Sequence, residues 1–318
     1  MAAKSGLGMG AKCALFLCAL AAFGGEMVRA QDPAVETGPT VAAGTLGVSY
    51  SSSFTTKDAP ELTIPVVNLR PTFEHEARFL AQWGFRKNFE VSFLLPIETL
   101  SFHYDGFSSF SNGGTGLGDA RLLGKYQFLN KENDDGAFQA SATFGLKLPT
   151  GNTGLHGGVG QLLPPGLQAG TGSTDWFFRA NGTYTGLFHV ENLALDGSIE
   201  YMKRTEGTQQ LRFGDSFEGR FWLFYHPDFR AALVKDWWIG PALSWRHAAH
   251  DAQFGSDLDG TAGGELFLGG ATYLRPHEGI LLWLSGDFPI AQTDNGIFFR
   301  TDHRITFGVT KQFQIKHW

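Results

Sequence analysis

The chain has 318 residues, 42 of them Gly and 29 Phe, with 25 Lys and Arg against 31 Asp and Glu and a formal net charge of −6. That acidic balance offers no basic stripe for nucleic acid, and no apolar run reaches the eighteen or so residues a membrane-spanning helix needs. Both cysteines, Cys13 and Cys18, fall near the N-terminus, so disulfides and cysteine metal sites drop out if that segment is removed.

Lys4 and Lys12 precede an apolar run from Cys13 to Gly24, and Val28-Arg29-Ala30 follows it. These are the three parts of a secretory signal peptide cleaved after Ala30. The apolar run is too short for a spanning anchor, and Leu17 stands before Cys18 where lipoprotein processing wants a small residue. Cleavage leaves 31–318 as one domain and removes Lys4, Lys12, Arg29 and Glu26, which makes the net charge more negative still. About 290 residues is too long for one ordinary sandwich and suits one large barrel.

A two-residue period then runs through the chain. Val41 to Phe54 sets Leu46, Val48 and Tyr50 against Thr45, Ser49 and Ser51, and Phe73 to Phe85 sets Phe79, Ala81 and Trp83 against Glu74, Glu76, Arg78 and Gln82. On this second strand His75 interrupts the apolar face. Phe89 to Phe102 is the third strand, followed by a Gly/Ser loop from Asp105 to Thr115. Gly116 to Asn130 and Ala137 to Asn152 are the clearest pair: Leu122, Tyr126 and Phe128 oppose Asp119, Arg121 and Lys125, and Phe138, Phe144 and Leu146 oppose Ser141, Thr143 and Lys147. Gly151 to Gly172 is a long irregular stretch, long enough to fold into or over a pore mouth.

Strands six to eight are Thr174 to Phe188, Leu193 to Arg204 and Leu211 to Tyr225. Trp176 and Phe178 oppose Asp175 and Arg179, Leu195 and Ile199 oppose Asp196 and Glu200, and Phe213, Phe217 and Phe221 oppose Glu218 and Arg220. Trp237 to His250, Gly260 to Arg275, Ile280 to Thr293 and Phe298 to Ile315 complete an even count of about twelve. Short connectors such as Arg86 to Asn88 alternate with longer, Gly-rich ones, and aromatics gather near strand ends, among them Phe85, Phe89, Tyr126, Phe188, Tyr225, Trp237 and Phe313. An all-β transmembrane antiparallel barrel has these features: apolar face to lipid, polar face to a lumen, both termini on the periplasmic side. A dry sandwich core of so many ions would cost several kcal/mol for each unpaired charge.

The runs Gly116-Leu117-Gly118-Asp119-Ala120-Arg121, Lys125-Tyr126, Leu146-Lys147-Leu148-Pro149-Thr150-Gly151-Asn152 and Gly170-Thr171-Gly172-Ser173-Thr174-Asp175 resemble successive motifs of the phenol meta-degradation-pathway family of outer-membrane transporters. The resemblance spans most of the mature chain and is sharp from Gly116 to Trp176. It implies a Gram-negative outer-membrane barrel, made by the barrel-assembly machinery, that faces lipid and lipopolysaccharide and takes up aromatic or other hydrophobic small molecules. One departure is terminal: Ile305, Phe307, Phe313 and Ile315 share odd phase, whereas Trp318 is even.

The candidate solute path is the charged face of strands four to eight, with Asp119, Arg121, Lys125, Lys147, Asp175, Arg179, Glu200, Glu218 and Arg220 inward, and Phe177 and Trp222 offering rings to an aromatic solute. A salt-bridge network bracing the barrel is the equal alternative for the charges. Mixed signs make the lumen no simple anion or cation filter. The Gly151 to Gly172 loop is the candidate constriction. No cofactor or metal is implied, and enzyme chemistry is not expected: His247 and His250 fall on opposite faces of a strand, Asp302 and His303 are strand neighbours, no Gly-x-Ser-x-Gly elbow occurs, and no helix follows the Gly-rich runs to bind phosphate. A structural or partner-docking barrel, and then an outer-rim hydrolase, are the other function classes.

Overall fold

The computed structural model describes residues 41–58, 68–105, 110–133, 136–156, 160, 162–163, 168–227, 236–259, 261–277, 279–293 and 300–315. Strands β1 (Thr45–Asp58), β2 (Asn68–Arg86), β3 (Phe89–Asp105), β4 (Phe110–Leu117), β5 (Arg121–Asn133), β6 (Gly136–Lys147), β7 (Asp175–Thr185) and β8 (Leu193–Lys203) form the first half. The short β9 (Leu211–Arg212) precedes β10 (Ser216–Tyr225) and β11 (Asp236–Ala248), and β12 (Ala252–Gln253) and β13 (Ser256–Asp257) precede β14 (Gly263–His277), β15 (Ile280–Gln292) and β16 (Arg300–Gln314). Each long strand pairs antiparallel with its sequence neighbours, β1 with β16 closes the ring, and β4 and β5 are two halves of one crossing, so the barrel has twelve. Among the described residues no helix is long and apolar enough to cross a membrane.

The alternation of the sequence is the alternation of the wall. Phe79, Trp83, Phe93, Leu122, Phe144, Phe178, Phe221 and Leu284 are exposed on the outside, while Ser49, Gln82, Ser92, Lys125, Thr143, Asn181 and Ser244 are buried inside. An apolar exterior this continuous is a liability in water and a fit to hydrocarbon. His75 is accommodated on the apolar face by Ser52, whose Oγ lies 2.7 Å from its Nε2, and by stacking on Phe54. Phe85, Phe89, Tyr126 and Tyr225 are exposed beside the short turns, as an interfacial girdle requires.

Four expectations change. The third loop is shorter than Asp105 to Thr115, because Phe110–Leu117 is strand paired to β3. The fourth strand breaks at Gly118 to Ala120, where the Gly118 amide bonds the Pro96 carbonyl and Asp119 turns out of the ladder. The eighth starts at Ser216: Leu211 and Arg212 pair instead with Gln253 and Ala252, and Asp251 accepts the Gly214 amide at 2.7 Å, so Phe213 leaves the wall and lies under Arg204. Asp302 and His303 do meet, Oδ2 to Nδ1 at 2.8 Å. The register shifts there, Thr56 facing His303 and Lys57 facing Thr301, and this bulge at Asp302 suspends the alternation that separates strand neighbours. Residues 1–40, on which the expected signal peptide and its cleavage site fall, and Trp318 lie outside the described residues.

Candidate solute path through the barrel

Three zones line the interior. At the loop end, Lys147, directly registered with Arg121 on one side and Asp175 on the other, joins a buried cluster. Its Nζ lies 3.2 Å from Asp119 and 2.6 Å from Asp175, and it also donates to the hydroxyls of Thr171 and Ser173. Asp119 accepts the amides of Gly151 at 2.9 Å and Thr171 at 2.8 Å, and the Thr171 hydroxyl at 2.6 Å. These ions are 1 to 6% exposed, and a buried lysine with two carboxylates is tolerable only because the hydroxyls and amides complete the shell.

The cluster fixes both ends of the Gly151 to Gly172 stretch. Asn152 donates its amide to Leu117 and receives that of Gly170, Leu155 and Leu163 pair, and Gln168 holds the carbonyls of Leu155 and Leu163. Leu163 and Ala169 are buried, and Thr208 of the next loop donates to Thr171. The described part of this loop is packed on the C-terminal half of β4, where Gly114 and Gly116 leave room for Leu155, Asn152 and Ala169.

The middle zone is a belt of guanidinium and carboxylate groups. Arg78 pairs with Glu76 at 2.5 Å, Arg179 with Glu200, Arg246 with Glu218 at 3.4 Å and Arg304 with Asp287 at 2.6 Å. Arg220 faces Arg304, Glu218, Asp287 and Arg78, and Arg121 faces Glu76 and Glu98. Neither Arg220 nor Arg121 makes a hydrogen bond or ion pair with a described residue.

Toward the short turns the interior is apolar on one wall and polar on the other. Trp222, Phe224, Tyr273, Leu281 and Trp283 form one buried cluster with Ala194, Ala242 and Ala271, and Trp238 packs against it. Trp222 and Phe224 stack at 5.8 Å and 7°, with the Tyr273 ring edge-on to Phe224 at 4.9 Å. Opposite, Glu90 accepts hydrogen bonds from Gln82, Ser92 and the Val41 amide, and Lys125 is within electrostatic reach of Glu90 and Asp196. Phe177 belongs to a second cluster with Leu80, Leu94, Leu123 and Met202, and Arg179 lies over its ring at 5.7 Å.

The structure thus separates the sequence candidates. Asp119, Lys147 and Asp175 form the loop-end cluster; Arg121, Arg179, Glu200, Glu218 and Arg220 belong to the belt; Lys125 and Trp222 lie nearer the short turns. Sequence reasoning left out Asp287, Arg304, Phe224, Tyr273 and Trp283. For Arg304 the signal was present, since Ile305 and Phe307 fix its phase. For Tyr273 and Trp283 it was absent, because Leu274, Leu282 and Leu284 alternate with residues equally apolar.

Among the described residues no group of three His, Cys, Asp or Glu side chains could hold a metal. His250 is exposed and its Nδ1 lies 3.2 Å from the Leu258 carbonyl. Outside the wall, Asp215 accepts the Arg204 amide at 2.9 Å and Lys203 Nζ at 2.7 Å. Desolvation works against its charge, but those bonds and that of Tyr201 prevail and hold its carboxyl below the usual range.

No family model matches the chain and no curated protein matches it. Solved structures do. The COG4313 outer membrane channel from Pseudomonas putida F1 superposes with a TM-score of 0.65 at 16% identity, over 89% of this chain and 100% of that one. A KdgM porin gives 0.44 at 12% identity over 83% and 98%, and a TodX monoaromatic hydrocarbon channel 0.42 at 11% over 86% and 91%. With the first of these likenesses and the apolar exterior, the chain has the fold of a Gram-negative outer-membrane β-barrel.

Proposed function

We propose that the protein is an outer-membrane channel through which small solutes, aromatic or otherwise hydrophobic ones among them, pass passively into the periplasm. The observation that carries this reading is the inner wall: a belt of charged residues at mid-barrel, followed by a bank of indole and phenyl rings. A network that only braced a closed barrel would leave no arginine without a carboxylate to hold, and Arg121 and Arg220 have no ion pair among the described residues. The proposal includes removal of residues 1–30 as a signal peptide, insertion by the barrel-assembly machinery and contact with lipopolysaccharide at the loop end. A channel of the same fold, and the resemblance to the phenol meta-degradation-pathway family, support it.

A second reading, a barrel that docks a partner and transports nothing, is favoured by the tight packing near the short turns, where Trp222, Phe224 and Trp283 are 3 to 4% exposed. Liposome swelling separates the two. Vesicles carrying the refolded barrel swell in small neutral solutes if it is a channel, at rates that fall with solute size. No swelling beyond empty vesicles, with folding verified, would leave the docking reading.

A further inference from the structure

We propose that residues 31–40 enter the barrel from the periplasmic end and narrow its lumen; this rests on the channel reading, with residues 1–30 removed. The chain does not come to β1 from outside the barrel. The Thr45 amide bonds the Ala42 carbonyl and Gly44 stands at φ 75°, which makes a tight turn that reverses the chain just before the strand begins. β1 leaves the short-turn end, where Leu46 registers with Trp83, so the residues ahead of the turn descend from inside the barrel.

Val41 and Ala42 lie on the inner wall. Gly84 faces inward between the outward Trp83 and Phe85, and a β-carbon on it would fall 2.1 Å from the Ala42 carbonyl oxygen and 2.6 Å from that of Val41. The Gly44 amide bonds the Gly84 carbonyl beside them. The Val41 amide donates to Glu90 at 2.9 Å, and the same carboxylate holds Gln82 and Ser92, a registered pair one inward step deeper than Gly84 and Glu90. Val41 is fully buried. Above it the inner face of β1 carries only Gly47, Ser49, Ser51 and Ser53, side chains too short to fill the lumen on that side.

The remaining length suffices to reach the charged belt. Ten extended residues span up to about 35 Å. Arg78 of the belt is six residues along β2 from Gly84, about 20 Å away. Asp32 and Glu36 are the charged residues of the segment, so it makes the lumen more negative as well as narrower.

The test uses the mature barrel, which has no cysteine of its own. Thr37→Cys is compared with Lys87→Cys, in the exposed turn between β2 and β3, for reaction in detergent with a bulky polyethylene-glycol maleimide. Thr37→Cys should react at least tenfold more slowly in the folded barrel and equally fast after denaturation. Adding Gly84→Ala, which pushes Val41 and Ala42 off the wall, should bring it to the rate of Lys87→Cys. If that variant does not assemble, Glu90→Ala, which frees the Val41 amide, takes its place with the same expectation. Equal rates in the folded barrel, or a slow rate that neither variant changes, overturn the proposal. Removing residues 31–40 should raise single-channel conductance and shift selectivity toward anions, and an unchanged conductance overturns it as well. A barrel that passes no current with or without the segment counts against the channel reading, while the labelling rates still decide where the segment lies.

Discussion

The ring of Phe177 lies across Gly145, its directly registered partner on the neighbouring strand, so closely that a β-carbon on Gly145 would fall within the ring. Trp283 covers Gly308 in the same way on the opposite side of the barrel. Inside a barrel, a large ring needs a bare stretch of neighbouring wall to lie flat, and glycine supplies it.

Gly145→Val should therefore displace Phe177, which is 1% exposed and packed on Leu123 and Met202. The expected loss is about 1 to 3 kcal/mol, the usual cost of overpacking, visible as a lower denaturant midpoint in detergent. Gly124→Val, at a glycine whose β-carbon would meet only the far end of Phe89, is the control.

The cluster of Lys147, Asp119 and Asp175 should act as the fastening of the loop. Lys147→Met leaves two buried carboxylates without their cation and is expected to cost about 3 to 5 kcal/mol. Limited proteolysis within 151–172 should be faster in that variant than in the wild type, with the strands still protected. Deleting Leu155 to Gln168 should raise conductance if the loop narrows the mouth; unchanged conductance would remove it from the solute path.

Acid should loosen the rim at the loop after β8. The folded carboxyl of Asp215 is depressed, so its contribution is present above the unfolded pKa and is lost as pH falls through the folded one. Amide exchange at Arg204 should rise on acidification below the ordinary carboxylate range and be fast at neutral pH in Asp215→Ala. A protected Arg204 amide in Asp215→Ala would refute the assignment.

Arg121 and its neighbour Leu122 point to opposite faces, one to the lumen and one to lipid. Arg121→Glu should shift the channel toward cations and leave assembly intact, whereas Leu122→Arg should cost roughly 2 to 4 kcal/mol near the bilayer midplane. Blocked assembly with Arg121→Glu and none with Leu122→Arg would reverse the faces.

Much of this was legible because lipid enforces alternation. Leu122, Tyr126 and Phe144 must be outside and Lys125 and Thr143 inside, and one misplaced charge on the lipid face is costly enough to keep the pattern clean. The wall near the short turns was harder to read, since Trp283 and Tyr273 face inward among leucines that face outward and composition cannot tell a ring in a lumen from one in lipid. Asp119 was legible as an inward carboxylate but not as the place where the strand breaks, because its strand-like spacing conceals a turn held by Thr171, fifty-two residues away. The bulge that joins Asp302 to His303 is a register event between two distant strands and leaves no local mark.

The most direct test of the channel is the current itself. Purified barrel, shown by its heat-dependent gel mobility to be folded, is added to a planar bilayer under voltage. A channel gives discrete, uniform conductance steps, and an ion selectivity that Arg121→Glu shifts toward cations. A flat baseline from barrel demonstrably inserted in the membrane would contradict it.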